Sequence, residues 1–181
     1  GEMHLNGLRD AKSYGISECY QFNLLDSPFK DEFDAICLFD VLEHIENDVL
    51  AIQNACKSLK NKGYLVLTVP SHMWLWNRSD VVAGHKLRYT KKQLVKKLKS
   101  NNFDILSARY FFMSIVPLLL LRAILKRDSG NQIKKEEYNK KSSINPIINS
   151  ILLFTSRLEN KLNPFLFNLF GGSLLIIAKK K

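Results

Sequence analysis

The stretch from Phe33 to His44, FDAICLFDVLEH, decides how the rest of the chain is read. Phe33 to Phe39 is a short, almost continuous apolar run, the pattern of a central strand buried on both faces. Polar groups follow at once in Asp40, Glu43 and His44, the layout of a site mounted at the carboxyl end of a strand. Downstream, Asn47-Asp48 predicts the cap of a helix reaching about Leu59 and ended by Asn61-Lys62-Gly63. Tyr64 to Val69 (YLVLTV) predicts a second buried strand, closed by Pro70. Upstream, Met3, Leu5, Leu8 and Ala11 mark an amphipathic helix to Tyr14, stopped by Gly15. Ile16 to Leu25 reads as a strand, and Asp26-Ser27-Pro28 as the loop at its carboxyl end.

Beyond Pro70 a loop rich in Trp, His and Gly runs to Tyr89. Thr90 predicts the cap of a basic amphipathic helix to about Asn101, and Phe103 to Tyr110 resumes strand character. Strands and helices alternating with short connections indicate a parallel, helix-flanked α/β sheet. From Phe111 the character changes. The run from Phe111 to Leu125 is very apolar but is broken by Pro117 and charged by Arg122, short of the roughly 20 apolar residues of a membrane span. A lysine-rich polar stretch from Lys126 to Ser143 reads as a mobile loop. A second apolar region spans Ile144 to Phe170, interrupted by Pro146 and Pro164, and Gly171-Gly172 leads into a last strand, SLLIIA. We read residues 1–181 as one domain and 111–170 as an apolar helical insert, or cap, within it. The start at Gly1-Glu2-Met3 falls inside an expected helix with no signal peptide before it, and reads as a cut.

Charge is distributed unevenly. Residues 1–80 hold 7 Lys and Arg against 12 Asp and Glu, whereas residues 81–181 hold 20 against 5, so the halves carry −5 and +15. Such asymmetry points the second half toward an anionic partner, although Lys91, Lys92, Lys96, Lys97 and Lys99 also fit the solvated face of one helix. Nucleic acid is disfavoured, because the basic residues are lysine-dominated and lack interleaved aromatics. Cys19, Cys37 and Cys56 are scattered, without metal-ligand spacing, and read as reduced thiols in a cytoplasmic protein.

The run FDAICLFDVLEHIEND, then LKNKGYLVLTVP, then WLWNRSDVVAGHKLRYT and FGGSLLIIAKK resemble class I methyltransferases that use S-adenosylmethionine. More narrowly they resemble the ubiquinone-biosynthesis-type O-methyltransferases and their envelope glycan and lipid relatives. The resemblance implies a Rossmann-like sheet, parallel with an antiparallel last strand, with the helical insert before that strand. It also implies that the first strand-helix-strand, with its glycine-rich cofactor loop, should precede Gly1; Gly171-Gly172 sits in the wrong place to replace it. On this pattern Asp26 would lie against the adenine of S-adenosylmethionine, with Leu25 beside it. Phe39 and Asp40 would line the methionine end of the cofactor, and His44 would face the shared cofactor and acceptor cavity.

For an oxygen acceptor a general base near neutral pKa is useful, and His85 and His44 are the candidates. Trp74, Trp76 and Tyr89 would wall the acceptor cavity, with Arg88 available to a phosphate. Each has a plainer reading: Asp26 as a turn former, Glu43 serving the next helix's amino terminus, His85 hydrogen-bonded within its loop, the tryptophans as packing beneath a lid. Asp40, Glu43 and His44 would give three metal ligands without a fourth, and no metal is assigned. The expected activity is methyl transfer to a small or lipid-linked acceptor. The insert would cover the site and touch an anionic membrane at its cytoplasmic face, using Lys126, Arg127, Lys134, Lys135, Lys140 and Lys141. The alternative is a non-catalytic remnant serving as a membrane- or protein-interaction module.

Overall fold

A computed structural model describes residues 1–125, 146–166 and 169–181. The expected lysine-rich loop falls outside the described residues. The elements are α1 (Leu5–Ser13), β1 (Phe33–Phe39), α2 (Asp48–Ser58), β2 (Leu59–Pro70), α3 (Arg78–Ala83), α4 (Lys91–Ser100), β3 (Phe103–Phe111), α5 (Val116–Leu125), α6 (Pro146–Leu166) and β4 (Ser173–Lys180). Four strands form one sheet in the order β1-β2-β4-β3. β1 runs parallel to β2, and β4 lies antiparallel to both β2 and β3. The mixed α/β sheet with an antiparallel last strand is therefore present, and the insert leads into that strand.

Local chemistry explains the boundaries. The Asn47 side chain accepts from the Leu50 amide and starts α2, satisfying one of the amides a helix start leaves bare. Thr90 and Gln93 form a capping box at the head of α4. Pro117 does not break α5: it sits in the first turn, where its missing N–H costs nothing. Asn61-Lys62-Gly63 does not end α2 either. Leu59 already has extended backbone and opens β2, and Lys62 at φ 63° lies in an irregularity where the register moves from Phe33–Leu59 to Ala35–Tyr64.

The core lies between the sheet and the helices α2 and α4. Ile52, Leu65, Leu67, Leu98, Phe103 and Ile176 are among its fully buried side chains. Two expectations fail at the opposite edge. Residues 16–25 form no strand; they make only an isolated Glu2–Gln21 bridge and a 3-10 turn at Leu24–Asp26. In consequence β1 has a neighbour on one side only, and Ala35, Cys37 and Phe39 are exposed rather than enclosed. A strand is buried on both faces only when a neighbour and a covering helix are both present.

Candidate active site

β1 ends at Phe39, and the next residue, Asp40, has left-handed backbone (φ 52°). That conformation costs a non-glycine residue about 1–3 kcal/mol, and hydrogen bonds hold it in place. The Asp40 amide donates to Thr68 O at 3.0 Å, and the Thr68 hydroxyl donates to Asp40 Oδ1 at 3.1 Å. The tip of β1 is thus pinned to β2 while Phe39 and Asp40 stay exposed.

A 3-10 turn, Leu42–His44, follows. Glu43 is wholly buried within it, and neither carboxylate oxygen has a hydrogen-bond partner. Burial, reinforced by the nearby negative charges of Asp40 and Asp80, pushes its carboxyl up to about 7. His44, exposed at the end of the turn, is held below the usual imidazole value by partial desolvation and by the neighbouring His85.

The segment after β2 is folded back on itself. Ser71 bridges Tyr89, the His72 amide donates to Tyr89 O at 2.9 Å, and the Tyr89 amide donates to Pro70 O at 3.0 Å. The closed loop carries α3, whose start is a capping box between Asn77 and Asp80 and whose end is Gly84 in the left-handed region. Asp80 is almost completely buried and accepts from four donors: the Asn77 amide at 2.9 Å, Arg88 Nε at 2.8 Å, Arg88 Nη2 at 3.0 Å and His85 Nδ1 at 2.8 Å. The Lys86 amide donates to Glu43 O and fastens this loop to the turn after β1. As a result the His44 and His85 rings lie 4.8 Å apart, edge to face. One ligand-type atom from each of Glu43, His44 and His85 falls within 4.8 Å of the other two.

The expected site residues therefore separate into groups. His44 and His85 come together, beside Glu43. Phe39 and Asp40 occupy the adjacent strand tip. Leu25 and the exposed Asp26 lie on the 3-10 turn that is fastened to α2 by Asn54, which donates to Leu24 O. Trp74 is half exposed and faces His72 at 5.2 Å between ring centres, whereas Trp76 is partly buried. Arg88 is not open to a phosphate: it is buried, and its guanidinium is committed to Asp80 and to Ser71 O. Tyr89 is likewise a core residue, its hydroxyl donating to Asp48 Oδ2 at 2.8 Å.

Three residues of this region carry little signal in the sequence. Asp80 was signalled by its place three residues after Asn77, with Gly84 beyond, the punctuation of a short helix. His72 stacks on Tyr110 at 4.9 Å and has left-handed backbone (φ 58°), and no sequence pattern announces it. Glu43 carries a helix-start reading and a place beside Asp40 and His44, but its burial is not legible, because it depends on the loop that folds over it.

Comparison with known proteins follows the same lines. A family model described as a methyltransferase domain matches residues 10–108, which take in β1, β2, the crevice segments and most of β3. No curated protein matches the sequence. Among solved structures, an S-adenosylmethionine-dependent methyltransferase from Mesorhizobium loti is 13% identical with a TM-score of 0.58, covering 98% of this chain and 77% of its own. A Bacillus halodurans protein assigned as a methyltransferase is 16% identical with a TM-score of 0.58, covering 99% and 80%. An S-adenosylmethionine-dependent methyltransferase from Thermotoga maritima is 14% identical with a TM-score of 0.56, covering 98% and 70%. At such identities the structures share the fold, and the match over residues 10–108 supplies the family: this chain belongs to the class I, S-adenosylmethionine-dependent methyltransferases.

Proposed function

We propose that the chain serves methyl transfer to an oxygen of a lipid-, polyprenyl- or glycan-borne acceptor, in the ubiquinone-biosynthesis-type or envelope branch of the family. The observation that carries this reading is the Asp80–His85 pair set against His44 just beyond the tip of β1. S-adenosylmethionine, when bound, supplies a methyl group on a positively charged sulfur, and its transfer depends chiefly on in-line approach of the acceptor. The exposed Phe39 and Asp40 fit the methionine end of that cofactor, and Leu25 and Asp26 are assigned to its adenine. Because His85 Nδ1 donates to Asp80, Nε2 is left as the proton acceptor. The acceptor's O–H proton passes there as the O–CH3 bond forms and the S–CH3 bond breaks. Trp74 and Trp76 offer the acceptor an apolar wall, and Arg88 contributes by fixing Asp80.

The membrane part of the reading rests on the insert. Leu118, Leu121 and Ile124 on α5, with Ile151, Phe154 and Leu158 on α6, are exposed apolar side chains in the basic half of the chain. Among the described residues no helix is long and apolar enough to cross a membrane. An interfacial contact at the cytoplasmic face suits such helices, each nearby Lys or Arg adding about 1 kcal/mol at an anionic surface. Co-sedimentation with phosphatidylglycerol vesicles should show binding that weakens at high salt; no binding at either ionic strength removes this part.

A second reading, an interaction module without catalysis, is favoured by the bare apolar residues Met3, Leu5 and Ile16 around α1. Calorimetry with S-adenosylmethionine separates the two, on this chain and on a longer form carrying residues upstream of Gly1. Binding by either supports methyl transfer, and failure of both sinks it.

A further inference from the structure

We propose that His72 is an acceptor-binding residue, whose Nε2 hydrogen-bonds a neutral hydroxyl of the methyl acceptor once Trp74 turns aside. The acceptor's role rests on the methyl-transfer reading; the hydroxyl site itself does not. His72 stands two residues beyond Pro70, the end of β2, on the side of an open α/β sheet where ligands bind. Its Nε2 is buried without a hydrogen-bond partner among the described residues, and a buried polar atom left so is costly. Its backbone is left-handed (φ 58°), a conformation that a non-glycine residue keeps only where its surroundings over-determine it. Here they do. The His72 amide donates to Tyr89 O at 2.9 Å, and the Leu75 amide donates to His72 O at 3.0 Å. The loop therefore tolerates backbone strain to hold in place an imidazole whose Nε2 is unused.

The surroundings define what this nitrogen takes. The ring lies between Tyr110, stacked at 4.9 Å, and Trp74, at 5.2 Å and tilted by 32°. Tyr110 is buried, and its hydroxyl accepts from the Lys91 amide at 2.8 Å, so that side is fixed. Trp74 is half exposed and is the side that opens. α5 packs against Met73–Leu75, so a ligand entering past Trp74 meets apolar side chains next to the imidazole. Burial and the Arg88 charge hold the ring below the usual imidazole value, which leaves it neutral at pH 7 with one nitrogen donating and the other accepting. A hydroxyl both donates and accepts, and pairs with either tautomer. A cationic group is opposed by Arg88, and an anion would lose its hydration between aromatic rings. Sugars and phenols share the required chemistry, a hydroxyl joined to an apolar ring face. His72 holds and orients this hydroxyl, while His85 keeps the role of base.

The test uses the full chain, with phenol and methyl β-glucoside as separate probes. The histidine ring nitrogens are followed by proton–nitrogen correlation NMR, the His72 signals being assigned by their loss in His72→Phe. At least one probe is expected to shift the His72 Nε2 resonance while the exposed His4 stays where it is. In Trp76→Phe, where Trp74 is the sole tryptophan, the same titration should change the emission as the ring turns. His72→Phe keeps a ring and removes both nitrogens, and should weaken probe binding by about 3–10-fold, the worth of one neutral hydrogen bond. A response to phenol alone assigns the site to aromatic alcohols and one to the glucoside alone to sugars; either supports the proposal. No shift at His72 with either probe, up to its solubility, would overturn it, as would equal affinity in the unmodified chain and a folded His72→Phe. If His72→Phe fails to fold by circular dichroism, His72→Asn, a residue type that tolerates left-handed backbone, supplies the assignment, and the shift in the unmodified chain decides. Failure to bind S-adenosylmethionine with the probe response intact would sink the methyl-transfer reading and leave the hydroxyl site standing.

Discussion

Arg88 has its charge fully committed inside the protein. With Asp80 almost completely buried opposite it, removing the guanidinium leaves a carboxylate without its principal counter-charge. Breaking such a pair typically costs about 3–5 kcal/mol. Arg88→Ala should lower unfolding stability by that order in urea titration, and Arg88→Lys should restore only part of it, because one ammonium cannot replace two parallel donors. A loss below about 1 kcal/mol, the range of exposed pairs, would contradict the buried geometry. His72 gives a pH prediction at the same scale. Burial, then the nearby Arg88 charge, lowers its imidazole below 6.5, so folding favours the neutral ring. Its contribution is complete above the unfolded value near 6.5 and is lost as pH falls through the lower folded value. His72→Phe, which keeps an aromatic ring between Trp74 and Tyr110, should flatten the fall in stability below pH 6.5. An unchanged slope would show that folding does not alter the proton affinity of His72. Residues of this kind were only half legible: GHKLRYT drew attention to Arg88 and His85, but only the folded chain shows that Asp80 claims both.

At the scale of elements, α4 was readable to the residue because Thr90 and Gln93 announce its start and its apolar side faces the core. α3 was hidden: six residues are too few to show helical periodicity, and its cap had to be noticed alone. The insert was legible as apolar but not in how it is attached. Glu159 on α6 is buried and accepts from the amides of Met113, at 2.8 Å, and Ser114, at 3.0 Å, just before α5. This carboxylate is a peg between α6 and the segment that enters α5, answering two backbone amides there. Glu159→Ala should destabilise the insert by about 1–3 kcal/mol. It should also raise hydrogen exchange at Met113 to Val116 while leaving β2 protected. Uniform exchange across the sheet would mean that α5 and α6 are not a separable unit.

At the scale of the whole molecule, the sheet was legible where apolar runs have neighbours, and misread at residues 16–25, where a run of strand-forming residues has nothing to pair with. Gly171 shows how tightly the far side closes. The Ser71 hydroxyl donates to its carbonyl, and a Cβ placed on it would lie 2.4 Å from Phe111 O. Gly171→Ala should therefore cost about 1–3 kcal/mol, as overpacking does, with a lowered melting temperature as the readout; a wild-type melting temperature would mean that β3 can yield there.

The position of β4 has a consequence for synthesis. Made after both, it is inserted between β2 and β3, which are not hydrogen-bonded to each other. As the chain leaves the ribosome, β2 and β3 must wait side by side without a ladder until some sixty later residues, including α5 and α6, have emerged. Such late, distant pairing makes folding slow. It also places quality control at β4, since a nascent chain stopped before Ser173 leaves two strand edges open to other chains.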